Sequence, residues 1–199
     1  MHRYFIINKP FDMVSQFVSS HDVRLLGELP FEFPEGTHAI GRLDNHSEGL
    51  LILTTNKKVT RLLFQGKMPH ERTYLVKVKG EMSEATLQRL KEGVPICVGE
   101  GEEYITTPCR VEIVERPDGL FDHPRELPFK VPHTWLLITL TEGKFHQVRK
   151  MVGAVSHRCQ RLIRVSIENL LLGDLQPGEV RELPEEEFFH LLKITDYSD

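Results

Sequence analysis

The chain lacks three features that would have placed it in a class at once. Cysteine is scarce, with only Cys97, Cys109 and Cys159 among 199 residues. An odd number at wide spacing makes no disulfide framework and no CxxC metal or redox site, so reduced structural thiols in a cytoplasmic protein are expected. Long apolar runs are also missing. Stretches such as Leu50-Leu51-Ile52-Leu53 fall far short of the ~20 residues that a membrane-spanning helix needs. The opening Met1-His2-Arg3-Tyr4-Phe5-Ile6-Ile7 enters a strand-like pattern directly, without the apolar length or small-residue cleavage site of a signal peptide. Finally, there is no excess of positive charge: 25 Lys and Arg stand against 29 Asp and Glu, a formal charge of −4. Taken over the whole chain, that balance excludes an indiscriminate polyanion binder.

What is present is a composition that builds a core. Hydrophobic residues make up 40% and charged residues 27%, as in a globular domain of ordinary-to-large size or two small ones. The charge is unevenly spread. Residues 42–79 and 136–165 each carry a net +5, whereas 1–41, 80–135 and 166–199 carry −2, −5 and −7. Two basic segments inside an acidic chain predict a confined positive region that whole-chain arithmetic hides.

Periodicity and punctuation predict mixed α+β with a largely antiparallel sheet, because strands often follow one another with no helix between. Tyr4–Asn8, Leu50–Thr54, Thr73–Lys79, Cys109–Glu115 and Thr134–Leu140 read as strands, and Met13–Val18 and Leu162–Leu170 as extended. Short helices are expected over Lys57–Phe64, after an N-cap at Ser83 and up to Gly93, over Phe145–Val155, and over Glu185–Leu192. Pro30–Gly36 reads as a loop, and Arg116–His133, with four prolines, as an irregular insertion.

The chemistry concentrates in two loops. In Gly41-Arg42-Leu43-Asp44-Asn45-His46-Ser47-Glu48-Gly49, Asp44 stands just before a buried strand. A carboxylate so held suits a nucleophile, a general base or a metal ligand, although many such residues only cap a turn. In Thr141-Glu142-Gly143-Lys144-Phe145-His146-Gln147-Val148-Arg149-Lys150-Met151, three cations surround a strand-to-helix junction suited to phosphate. A plain basic helix face is the other reading.

Five ordered stretches resemble the RsuA-type bacterial rRNA pseudouridine synthases, over essentially residues 4–184. They are Ile7-Asn8-Lys9-Pro10, Gly41–Asp44 with Ser47–Asn56, Arg72–Val78, Glu142–Met151 and Leu162-Ile163-Arg164. The Asn8–Asp12 opening with Gln16-Phe17, and the proline-rich stretch before Trp135, are most similar to the RluE-type large-subunit branch, which has no N-terminal S4 RNA-binding domain. The resemblance implies a pseudouridine synthase fold over 1–199 as a single catalytic domain, with subdomains flanking a cleft and no S4 domain. It implies isomerisation of one uridine in 23S rRNA. Asp44 would be the nucleophile, Arg149 its guanidinium partner, and Tyr74 would stack on the flipped base. Leu162 would wall the pocket, and Arg42 would fill the gap left by the base. Lys9, Lys144, His146, Arg161 and Arg164 would contact the RNA backbone. No metal or cofactor is implied, in keeping with the absence of CxxC, HxxxH and phosphate-loop patterns. The expected partner is 23S rRNA or a ribosomal assembly intermediate, bound by a cytoplasmic monomer. Where the family usually has Gly-Arg-Asn-Arg-Gln-Val-Arg, this chain has Gly143-Lys144-Phe145-His146-Gln147-Val148-Arg149, a change that bears on RNA contact rather than on catalysis. A non-catalytic RNA-binding assembly protein of the same fold is the alternative. The Asp44, Tyr74 and Arg149 set argues against it, since binding alone needs no carboxylate facing a polyanion.

Overall fold

A computed structural model describes residues 1–66, 68–126 and 131–197. In chain order the elements are β1 (Tyr4–Lys9), β2 (His38–Ile40), β3 (Glu48–Thr54), α1 (Val59–Phe64), β4 (Arg72–Lys79), α2 (Glu84–Glu92), β5 (Pro95–Val98), β6 (Glu102–Ile105), β7 (Arg110–Val114), β8 (His133–Leu140), α3 (Gln147–Ala154), β9 (Cys159–Ile167), β10 (Leu170–Leu171), β11 (Val180–Leu183) and α4 (Glu185–Leu191). They form two units, one of residues 1–70 with 163–199 and one of residues 71–162. The mixed, mostly antiparallel α+β class expected from the sequence is what the chain adopts. Among the described pairings within the units, the one parallel contact joins β3 to β9.

In the first unit β1 lies between β11 and β3, antiparallel to both. All six of its residues are buried, as are all seven of β3. A strand covered on both faces needs no polar alternation, which is why these segments read as continuous apolar runs. Aromatic rings fill the space around them. Tyr4 stacks on Phe188 at 4.6 Å, and Phe5 meets Phe31 and Phe33 edge-on at 5.5 and 5.7 Å. The Tyr4 hydroxyl bonds to Glu185 at the start of α4. Burial first, and then that carboxylate, push the phenol up to about 12.

The β3–β9 contact depends on one glycine. Gly49 pairs with Arg164 and has φ +99°. A Cβ built there would lie 2.4 Å from the Arg164 carbonyl oxygen and 2.9 Å from its nitrogen. Both the backbone angle and the close approach therefore demand glycine. The pairing also explains why β3 begins at Glu48, two residues before the apolar run that predicts it.

In the second unit β4, β8 and β7 form an antiparallel sheet in that order. Val76, Val78, Leu136 and Ile138 pack with Leu87 and Leu90 of α2 and with Val148, Met151 and Val152 of α3. The helix start at Ser83 is as expected, its side chain accepting from the Thr86 N–H at 3.2 Å, and Gly93 closes the helix at φ 114°. Lys77 of β4 is also covered, 4% exposed with its Nζ 3.3 Å from Glu126, whereas Lys79 at the strand's end is exposed.

Other differences are local. Met13–Val18 joins no strand; backbone bonds from Met13 to Asn45, Val14 to Arg24 and Leu26 to Gln16 hold it instead. The β5–β6 hairpin was not expected, although Gly99-Glu100-Gly101 marks its turn. Ile113 of β7 is 47% exposed, so the alternation of Cys109, Val111 and Ile113 buries only part of its apolar side. Of the proline-rich insertion, residues 127–130, Pro128 included, lie outside the described residues. No helix among the described residues is long and apolar enough to cross a membrane.

Gly49→Ala is expected to cost about 3 kcal/mol or more, since it combines left-handed strain with overpacking against backbone. Urea unfolding checks this, and a loss below about 1 kcal/mol would mean that the β3–β9 contact readily gives way.

Candidate active site

Asp44 sits half-buried in a loop of the first unit that is pinned along its length. At one end, buried Arg164 donates from Nη2 to the Gly41 carbonyl at 2.6 Å. Its Nε donates to the Leu50 carbonyl at 2.8 Å, just beyond the other end. One guanidinium thus ties both ends of the loop to β9. In the middle, the Ser15 hydroxyl donates to the Leu43 carbonyl at 2.8 Å and accepts from the Leu43 N–H at 3.0 Å. The Ser47 N–H donates to the Asp44 carbonyl at 3.0 Å, and the Ser47 hydroxyl reaches its carboxylate at 3.4 Å. Arg42 stays exposed beside this rigid carboxylate.

The Asn8–Met13 opening braces the same loop from the other side. Lys9 is fully buried, and its Nζ donates to the carbonyls of Pro10, Met13 and Asn45 at 2.7, 2.5 and 3.3 Å. Burial lowers its amine to about 7, against the pull of Glu48, Asp44 and Asp12 towards the charged form. Asn45 donates to Asp12 at 3.0 Å, and Phe11 stacks on His46 at 5.2 Å.

In the second unit the basic loop is organised by Glu142. This carboxylate accepts from the Tyr104 hydroxyl at 2.5 Å, the Thr107 N–H at 3.0 Å and the Gln147 amide at 2.6 Å. Burial raises its pKa, but these donors outweigh burial and hold it below the usual carboxylate range. Buried Gln147 in turn accepts from the Lys144 N–H at 2.8 Å, which shapes the entry to α3. His146 takes the left-handed conformation there at φ 54°. Lys144 lies over the Tyr104 ring at 4.6 Å and Lys150 over Phe145 at 5.3 Å, while Phe145 itself is 73% exposed. Arg149, on the first turn of α3, reaches the Cys159 sulfur at 3.7 Å. Tyr74 is half-buried on β4, and Leu162 is buried in the core of this unit.

The expected site residues therefore divide. Lys9, Arg42, Asp44 and Arg164 belong to the first unit, and Tyr74, Lys144, His146, Arg149, Arg161 and Leu162 to the second. Lys9 and Arg164, expected at the RNA backbone, are both buried. They are interior braces, because their donors are taken up by backbone carbonyls of the Asp44 loop and its neighbours. Arg161 is 2% exposed, paired with Glu126 at 3.4 Å and bonded to the Phe121 carbonyl at 2.9 Å. Ser15, Ser47, Glu142 and Gln147 were not singled out in the sequence. Three of them lie within the quoted motifs, and Ser15 carries no local signal. Among the described residues no cluster of His, Cys, Asp and Glu suits a metal ion.

The family described as RNA pseudouridylate synthase matches residues 3–154. The chain is 37% identical over 180 residues to the ribosomal large subunit pseudouridine synthase E of Vibrio vulnificus, covering 89% of this chain and 74% of that one. It is 37% identical over 182 residues to the protein of the same name from Xanthomonas campestris, covering 88% and 92%. A crystal structure of a pseudouridylate synthase superposes with a TM-score of 0.76 at 28% identity, covering 96% of this chain and 74% of that one.

The buried Lys9 has a direct pH consequence. Its folded value of about 7 lies below the ordinary 10.5, so the unfolded chain binds the extra proton between those limits and stability rises with pH across that window. Lys9→Met removes this titration. The wild-type-minus-variant stability difference, from urea midpoints at pH 6.5 to 10, should therefore climb with pH. A flat difference would show that the carbonyl cage keeps Lys9 charged throughout.

Proposed function

Because the chain belongs to the RNA pseudouridylate synthase family, a family of isomerases, we propose that it converts one uridine of large-subunit (23S) rRNA to pseudouridine, with Asp44 as nucleophile on a flipped-out base. The observation that carries this reading is the Asp44 loop. A half-buried carboxylate is braced by Arg164, Lys9, Ser15 and Ser47, while its neighbour Arg42 remains exposed. Such bracing fixes a reacting group without ordering costs during the reaction. The large-subunit substrate is supported by the names of the relatives from Vibrio and Xanthomonas.

The chemistry is an isomerisation with no net oxidation. Asp44 attacks the target nucleotide, the bond from ribose to N1 breaks, the base turns and rejoins the ribose through C5, and the bond made by Asp44 breaks in turn so that the carboxylate leaves free. The C5 proton must leave and N1 must gain one, so a proton acceptor beside the base is required. Tyr74 is assigned to stack on the uracil and assist this transfer, with Leu162 walling the base. Arg149 is assigned to keep the Asp44 carboxylate ionised, as a guanidinium does for a neighbouring carboxylate. Arg42 is assigned to the space vacated by the flipped nucleotide, where a planar cation stacks and binds phosphate. Lys144 and His146 are assigned to the RNA backbone.

Asp44→Asn is expected to abolish pseudouridine formation while leaving the melting temperature and RNA affinity nearly unchanged. Pseudouridine mapping on 23S rRNA from a deletion strain complemented with each form reads the outcome, and full modification by the variant would defeat the mechanism. Arg42→Ala should weaken binding to a 23S rRNA transcript by roughly tenfold, as loss of one charge-assisted contact does. Because Arg42 is exposed, unfolding should shift by less than about 0.5 kcal/mol. Unchanged affinity would remove Arg42 from the interface.

A further inference from the structure

A second basic site lies wholly within residues 71–162. A pocket of about 370 Å³ is lined by Lys77, Lys79, Arg125, Arg158 and Arg161 with Glu126 as the one carboxylate among its described lining residues. Lys77 and Arg161 are each more than nine-tenths buried, at 4% and 2% exposure. Both pair with the same Glu126, at 3.3 and 3.4 Å, and Arg116 approaches that carboxylate at 3.9 Å. Among the described pairings, one carboxylate thus serves three cations, two of them interior. A cluster of cations gathered at a single described lining carboxylate suits an anionic ligand. At the rim, exposed Lys79 and Arg158 form no ion pair among the described residues. His123 on the wall is held down to about 4 by burial and by Arg161, so it is neutral at physiological pH and leaves the field of the cations unchanged.

The pocket also contains an unmet acceptor. The Gln160 side-chain oxygen is buried without a hydrogen-bond partner. A ligand that brings a hydroxyl donor beside an anionic group satisfies both demands, and a ribose with its phosphodiester is such a group. The volume falls in the range of small-ligand sites and suits one nucleotide. We propose that this pocket is a ribonucleotide subsite that seats a backbone phosphate and its ribose from the RNA strand. It rests on the proposed function only in taking RNA as the ligand.

Buried Lys77 and Arg161 are unsuitable for a test because their removal threatens folding, so the rim is changed instead. Binding of Lys79→Ala/Arg158→Ala to a large-subunit rRNA transcript is measured across a salt series. An Arg89→Ala/Lys91→Ala pair on α2 serves as a control of equal charge. The rim variant should bind roughly tenfold more weakly at 0.1 M salt, with the slope of log K against log salt shallower by about 1–2, while the control changes less than twofold. Gln160→Met should narrow the preference for the RNA over single-stranded DNA of the same sequence. Equal losses in rim and control variants, or an unchanged slope, would overturn the subsite. Uridine conversion is scored on the same transcript. Conversion with no rim effect defeats the subsite alone, and a rim effect without any conversion by the wild type defeats the proposed reaction alone.

Discussion

The crossing of β3 and β9 at Gly49 and Arg164 is the constraint on which the Asp44 loop depends. Glycine lets the two backbones meet, because any Cβ would collide with the Arg164 carbonyl. That contact delivers the Arg164 side chain to the carbonyls of Gly41 and Leu50. A loop whose two ends share one guanidinium has little freedom left, and the Ser15 and Ser47 hydroxyls remove more of it. The Asp44 carboxylate is thus placed largely by hydrogen bonds to the loop backbone, with the Ser47 hydroxyl added at 3.4 Å.

Charge in this chain does two different kinds of work. Part of the positive charge in its basic segments is interior. Arg164 clamps a loop, while Lys77 and Arg161 share Glu126. Lys9, from the acidic N-terminal segment, is buried as a brace. Exposed cations such as Arg42, Lys79, Lys144 and Arg158 are open to solvent and so to a polyanion. The formal charge of −4 is therefore compatible with RNA chemistry, and the acidic last segment, net −7, limits indiscriminate affinity.

The second unit solves an analogous positioning problem with a carboxylate. Glu142 gathers donors from β6, from the strand-free segment after it and from α3, and so sets how the basic loop enters the helix. The Lys144-Phe145-His146 sequence that departs from the family pattern stands on this support. Lys144 rests over Tyr104, and Phe145 remains exposed. The departure thus changes what the loop presents and leaves its Gln147 and Arg149 anchors in place.

Periodicity alone was enough for the α+β class, for most strands and helices, and for the Ser83 and Gly93 helix ends, since these follow from local patterns of apolar, capping and breaking residues. The motifs pointed to Asp44 and the basic loop as the stretches to consider for chemistry. The sequence was silent on β2, β10 and β11, whose short strands exist only because a longer neighbour offers a ladder. It did not signal that Lys9 and Arg164 are buried against backbone carbonyls, because a cation carries the same one-letter code whether it meets phosphate or a buried carbonyl. Burial and partner are long-range quantities: Arg164 lies 123 positions from Gly41, yet it donates to the Gly41 carbonyl. Local patterns were thus written in the chain, whereas the division of its cations into buried braces and exposed charges was decided only when folding set which of them lose water.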